Sequence, residues 1–353
     1  MTRVSLFTHY PHLTLLRSDA LTLLLAVLFL LASCGERTQP KSTEAQDPVL
    51  EALNKKIQSN PNDASLYYQR ADYLLSNGRI PDALRNFIVS LDLDSTNANT
   101  WSKLSDVYML MDNYIEAENA MIQVLKLSPD DEDALVKLAK YYIIFFNYED
   151  AKAYLDRALS KNSLNAHAYE LYGMYYLEQG DTARAIGSFN RAVEIDDSLS
   201  DAYLSLALLY DLRNNPVAID YYRNAIRVRP NNLNAQYKLA YHLQEKAGKI
   251  DEAMAMYDAI LEKNPQYYHA LYNKGYVYLV YKRDPRTALD YFSQAVEFSD
   301  RTTPDALYNM AYCLELLDNK KEARRLYKQI LEVFPDYQLA IEGQRRVGRF
   351  DKN

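Results

Sequence analysis

Apolar and small side chains in this chain recur at helical spacing in short blocks, and the blocks themselves repeat. Between Ala166 and Asp197, Tyr169, Tyr172, Gly173 and Tyr176 fall on one stripe, Gly180 interrupts the pattern, and Ala185, Phe189 and Ala192 form a second stripe. The spacing predicts two short antiparallel helices joined by a tight turn. The same unit recurs eight times between residues 62 and 336, with opening positions at Tyr67, Trp101, Leu135, Tyr169, Tyr203, Gln236, Leu271 and Leu307. Gln236 stands where a large apolar residue is expected. The inter-helix turn of the fifth unit, at Asn214-Asn215-Pro216, is one residue short, and that of the sixth, around Gly248, is one residue long.

Flanking segments have their own patterns. Val49, Leu50, Leu53 and Ile57 predict one amphipathic helix, so that residues 48–61 form an amino-terminal cap. Residues 337–353, rich in Gln, Glu and Arg, predict a solvent-facing carboxyl-terminal cap helix. The order of large residue, small residue, turn, then Ala-x3-Phe, at a period of about 34 residues, resembles the tetratricopeptide repeat. Small residues at the helix crossings let paired helices approach closely while aromatics fill the wedge between them. The resemblance implies an all-α, right-handed superhelical solenoid of about eight helix pairs whose first helices line the concave side.

The first 33 residues differ. Arg3 and Arg17 precede an apolar run, Ala20 to Ala32, too short for the roughly 18 residues that span a bilayer but suited to a secretory signal. Leu31-Ala32-Ser33-Cys34 resembles the bacterial lipobox, which implies cleavage after residue 33 and lipidation of Cys34. Residues 34–47 carry no buriable apolar side chain and predict a tether, about 20 Å long as a coil. The chain from Cys34 onward holds 38 basic and 46 acidic side chains, a net charge of −8, which argues against nucleic acid as a partner. Cys313 is then the one remaining thiol, and its apolar neighbours predict a buried, inert one.

No catalytic or metal-binding motif is present, and no cofactor is expected. Beyond residue 33 the histidines are His167, His242 and His269, one in each of three repeats, without paired ligand spacing. What composition adds is tyrosine, 32 in all. One and five residues past the opening position, about 100° and 140° round the helix from it, the last three repeats carry tyrosine twice each: Tyr237 and Tyr241, Tyr272 and Tyr276, Tyr308 and Tyr312. Two residues past it stand Lys238, Asn273 and Asn309. In peptide-binding members of the family such polar residues hold the ligand backbone, so the resemblance implies a groove with a tyrosine ladder. The alternative is that the tyrosines pack between adjacent first helices. Binding predicts that alanine at a ladder position weakens binding by about 2 kcal/mol and leaves the fold nearly intact. A basic end, from Lys320, Lys321, Arg324, Arg325 and Lys328 to Arg345, Arg346, Arg349 and Lys352, is expected to be a solvated cap face.

The function expected is that of a non-catalytic interaction scaffold, a lipoprotein of the cell envelope that grips an extended peptide or a helix of another envelope protein. Membrane attachment would be through the lipid alone. Gly35 after the lipid-bearing cysteine resembles the signal for the outer membrane of a Gram-negative bacterium. The other function considered is glycan binding, with the tyrosine rings stacking on sugar faces.

Overall fold

The computed structural model describes residues 47–298 and 304–348. The apolar run, Cys34 and most of the tether lie outside the described residues, as do Arg349 and Lys352 in the basic end. Within them the secondary structure is helical throughout. Helix α1 (Pro48–Ser59) precedes eight helix pairs. The first helices are α2 (Ala64–Ser76), α4 (Ala98–Leu110), α6 (Glu132–Ile144), α8 (Ala166–Glu178), α10 (Ser200–Leu212), α12 (Leu233–Glu245), α14 (Tyr268–Val280) and α16 (Asp305–Leu316). Their partners are α3 (Ile80–Leu93), α5 (Tyr114–Leu127), α7 (Tyr148–Lys161), α9 (Thr182–Ile195), α11 (Ala218–Val228), α13 (Ile250–Lys263), α15 (Pro285–Glu297) and α17 (Lys320–Val333). Helix α18 (Gln338–Gly348) closes the array.

Local chemistry repeats with the helices. Asp63, Asn97, Asp131 and Asn165 cap α2, α4, α6 and α8 by accepting hydrogen bonds from first-turn amides. Between the helices of each pair one residue has a positive φ: Gly78, Asp112, Phe146, Gly180, Asn214, Gly248, Arg283 and Asp318. That left-handed residue ends the first helix and turns the chain back. In three repeats the opening side chain anchors the first helix to the loop before it. Tyr67 donates to the Pro61 carbonyl and Trp101 to the Ser95 carbonyl, each six residues back. Gln236 does the same: its amide reaches the Pro230 carbonyl at 2.6 Å. The unexpected glutamine therefore keeps the aromatic's hydrogen bond and the register.

The cores sit between the helices of each pair and against the next pair. Phe87, Met121, Leu155, Phe189, Tyr222, Tyr257, Phe292 and Tyr327 are fully buried at one equivalent position of the second helices. A Cβ added to Gly173 would lie 2.5 Å from the Phe189 ring, and one added to Gly275 would lie 2.9 Å from Phe292. Those glycines exist because the ring fills the crossing. Where the buried residue is tyrosine, the facing first helix supplies a polar partner: Asp211 for Tyr222, Gln244 for Tyr257, Glu315 for Tyr327. Where it is Phe, Met or Leu, the facing residue is Leu75, Met109, Ile143, Leu177 or Leu279. Each buried hydroxyl thus brings its own acceptor, as burial of a polar group requires.

Consecutive first helices also pack on each other, α2 on α4, α6 on α8, α12 on α14, α14 on α16 and α16 on α18. The stack therefore curves with the first helices inside, and the fold is an all-α solenoid.

Candidate binding groove

On the inner face of the seventh and eighth repeats, the residue two past the opening position reaches back to the preceding repeat. In α14, Asn273 donates to the Tyr237 hydroxyl at 3.2 Å and to the His269 carbonyl at 2.9 Å, and it is only 5% exposed. In α16, Asn309 donates to the Tyr272 hydroxyl at 3.0 Å. Both amides donate to tyrosine hydroxyls of the preceding repeat, a role not anticipated from their expected contact with a ligand backbone. No sequence signal separates an amide aimed at a ligand from one aimed at a neighbouring phenol. In α18 the equivalent residue is Gly343, and Arg346, farther along, takes over. It pairs with Glu315 through two hydrogen bonds, at 2.7 and 3.0 Å, and lies over the Tyr312 ring. Arg346, missed in the sequence as one of a basic cluster, is the last rung.

The ladder divides into two rows. Tyr237, Tyr272 and Tyr308 are wedged between helices. Tyr237 stacks on His269 and leans on Tyr257 and Tyr267, Tyr272 stands edge-on to Phe292, and Tyr308 packs against Tyr327 and Tyr337. Burial pushes the Tyr237 and Tyr272 phenols up to about 12. All three lie against neighbouring rings, so alanine there is expected to cost stability as well. Tyr241, Tyr276 and Tyr312 form the second row, closer to solvent. Tyr241 is 40% exposed and the other two are half-buried. Tyr241 is near enough to Tyr276 for their hydroxyls to interact electrostatically. Tyr241 rests on Tyr237 and Tyr312 stacks on Tyr308, so two of the outer rings have a first-row ring behind them. Lys238, half-buried, lies over the Tyr237 ring beside this row.

Other sites singled out in the sequence are accounted for structurally. His242 is buried and paired with Asp211 at 2.8 Å, His167 is exposed beside Glu170, and among the described residues no three His, Cys, Asp or Glu converge as metal ligands. Burial works against the charge of Asp211, but hydrogen bonds from Lys246, His242 and Tyr222 outweigh it and hold the carboxyl below its ordinary value. Cys313 is fully buried, and burial pushes its thiol up to about 12. In the basic end Lys320 pairs with Asp318 and Arg325 with Glu322. Among the described residues no helix is long and apolar enough to cross a membrane.

Three family models match the chain: the TPR domain of cytochrome c-type biogenesis protein H over residues 82–203, and two tetratricopeptide-repeat models over residues 209–275 and 305–337. Among curated proteins, a TPR repeat-containing protein of Methanocaldococcus jannaschii is 23% identical over 82% of this chain and 61% of its own length. Protein O-mannosyl-transferase TMTC3 of Homo sapiens is 24% identical over 52% of this chain and 22% of its own length. The chain spans less than two thirds of each of these relatives. Among solved structures, the C-terminal part of a TPR repeat-containing protein from Cytophaga hutchinsonii matches with a TM-score of 0.55 at 21% identity, covering 68% of this chain and 98% of that one. The three family models support a tetratricopeptide-repeat protein, and the eight helix pairs share the fold of the solved structure.

Proposed function

We propose that this protein is a non-catalytic interaction scaffold that takes an extended segment or a helix of a partner protein on the inner face of its last three repeats. Tyr241, Tyr276 and Tyr312 make the apolar contact, with Lys238 at the edge. Tyr237, Tyr272, Tyr308, Asn273 and Asn309 hold that surface rigid from behind. The observation that carries this reading is the braced outer row. Rings that are accessible yet fixed by packed neighbours lose little entropy on binding, and tyrosine is enriched at the hot spots of protein interfaces. We further propose that the partner is another envelope protein and that Cys34 carries a lipid that holds the scaffold at the outer membrane. The composition of residues 20–34 supports that placement.

The test is a cross-linking pull-down from cells with the protein and its Tyr241→Ala/Tyr276→Ala variant. Each substitution is expected to weaken partner binding by about 2 kcal/mol and to shift the melting temperature little, because these rings are partly solvated in the free protein. Retention of the same partners at the same yield by the folded variant would refute the groove.

A further inference from the structure

Every helix pair is antiparallel, so all turns from first to second helix fall along one edge of the solenoid. In most repeats the left-handed residue of that turn is glycine or a small polar side chain. In the third it is Phe146, at φ 60 and 74% exposed. A bulky aromatic is unfavourable in that backbone region, and water gains nothing from its ring. Phe146 is not isolated. Ile115 is 72% and Leu110 60% exposed, and Ile144 and Tyr114 are exposed beside them. Tyr114 packs on Phe145 with ring centroids 5.3 Å apart, so the turns of the second and third repeats form one continuous surface. On the opposite edge the same two repeats present Ser128-Pro129-Asp130 and Asn162-Ser163-Leu164.

The described chain begins on the apolar edge. Asp47 caps the start of α1, a helix placed like the second member of a pair, and Tyr73 near the end of α2 donates to its carboxylate at 2.9 Å. Cys34 is 13 residues before Asp47, a reach of about 20 Å as a coil. Helices pack at spacings of roughly 8–10 Å, so the second and third repeats lie within a comparable distance along the edge. We infer that this edge rests on a lipid bilayer, with Ile115 and Phe146 seated in the interfacial region and the inner groove left open to a partner. The inference rests on the reading of Cys34 as the lipid-bearing residue. Asp112, Glu116 and Glu149 flank the apolar side chains, so the surface that fits is zwitterionic rather than anionic lipid.

The test uses the full acylated protein in phosphatidylcholine vesicles whose acyl chains carry a nitroxide quencher. A fluorophore is attached at Ile115→Cys, at Phe146→Cys or, on the opposite edge, at Leu164→Cys. Cys313 is fully buried with a raised thiol pKa and stays unlabelled. The expected result is that the protein floats with the vesicles and that the labels at positions 115 and 146 lose most of their fluorescence while the label at 164 keeps it. Flotation with equal quenching at all three positions, or none, overturns the edge assignment and leaves the lipid anchor standing. Absence of flotation overturns both. Protection of the labels at 115 and 146 by a second copy, seen as cross-links between those positions, also overturns it and assigns the edge to self-association.

Discussion

The two ends of the inner face solve one problem with different chemistry. In both, the residue two past the opening position of a first helix reaches back to the preceding repeat. In the second and third repeats that residue is lysine: Lys103 meets Asp72 at 2.7 Å and Lys137 meets Asp106 at 2.6 Å, with all four side chains at least a quarter exposed. In the seventh and eighth repeats it is asparagine, hydrogen-bonded to a half-buried tyrosine. A solenoid's stability is close to a sum of repeat and nearest-neighbour terms, so these couplings set local rigidity. Exposed ion pairs contribute up to about 1 kcal/mol each and weaken with salt. Packed aromatic rings with satisfied hydroxyls contribute more and are not screened. The carboxyl-terminal end is therefore the preorganised one, and it carries the accessible tyrosines.

The largest effect that separates the two ends is expected from Tyr272→Ala. It removes a ring packed edge-on to Phe292 and strips Asn309 of its acceptor, at a cost of about 3 kcal/mol in chemical denaturation. Tyr276→Ala, one turn along the same helix, is expected to cost less than 1 kcal/mol. Equal losses from the two would collapse the division into a packing row and a contact row. Next is Glu315→Ala. It leaves the fully buried Tyr327 hydroxyl without its acceptor and Arg346 without its carboxylate, for about 2–3 kcal/mol. Hydrogen exchange should show the loss concentrated in α16, α17 and α18 with α2 to α5 unchanged.

Most of the fold was legible because core positions recur at the repeat period, so that one weak helix signal is read eight times over. Gln236 was the exception, and its amide bond to Pro230 shows that register can be kept by a hydrogen bond that hydrophobic patterning does not record. The pairing of buried Tyr222, Tyr257 and Tyr327 with Asp211, Gln244 and Glu315 was also present in the sequence. Finding it requires comparing two helices position by position rather than reading each stripe alone. The site was less legible. Positions one and five past the opening residue differ by about 40° round the helix, and which of them is covered depends on how the following first helix sits. That is why Tyr237 and Tyr241, alike in sequence, end in different environments.

Alkaline pH is expected to act more strongly on the buried phenols, those of the tyrosine end and Tyr141 of α6, than on the amino-terminal ion pairs. With folded phenols at about 12 for Tyr237 and Tyr272 against the ordinary 10, the stabilisation is complete below pH 10 and is lost as pH rises toward 12. Lys103, held above the ordinary lysine value chiefly by its hydrogen bond to Asp72, loses its contribution in the same direction, but as one exposed pair. Absorbance of tyrosinate should lag the ordinary titration and then rise with loss of exchange protection in α12 to α16. Protection lost first in α2 to α5, ahead of both α6 and the tyrosine end, would invert the comparison.

The smallest effect belongs to the amino-terminal pairs. Asp106→Ala removes the partner of Lys137, whose ammonium keeps the Ser102 hydroxyl and carbonyl at 3.2 Å, so the charge is not stranded. The expected cost is about 0.5 kcal/mol at low ionic strength and close to zero in molar salt, where the Debye length falls to about 3 Å. A salt-independent loss above 1 kcal/mol would mean that Asp106 acts through packing or desolvation. The amino-terminal inner face would then be as rigid as the tyrosine end, and preorganisation would no longer distinguish the two.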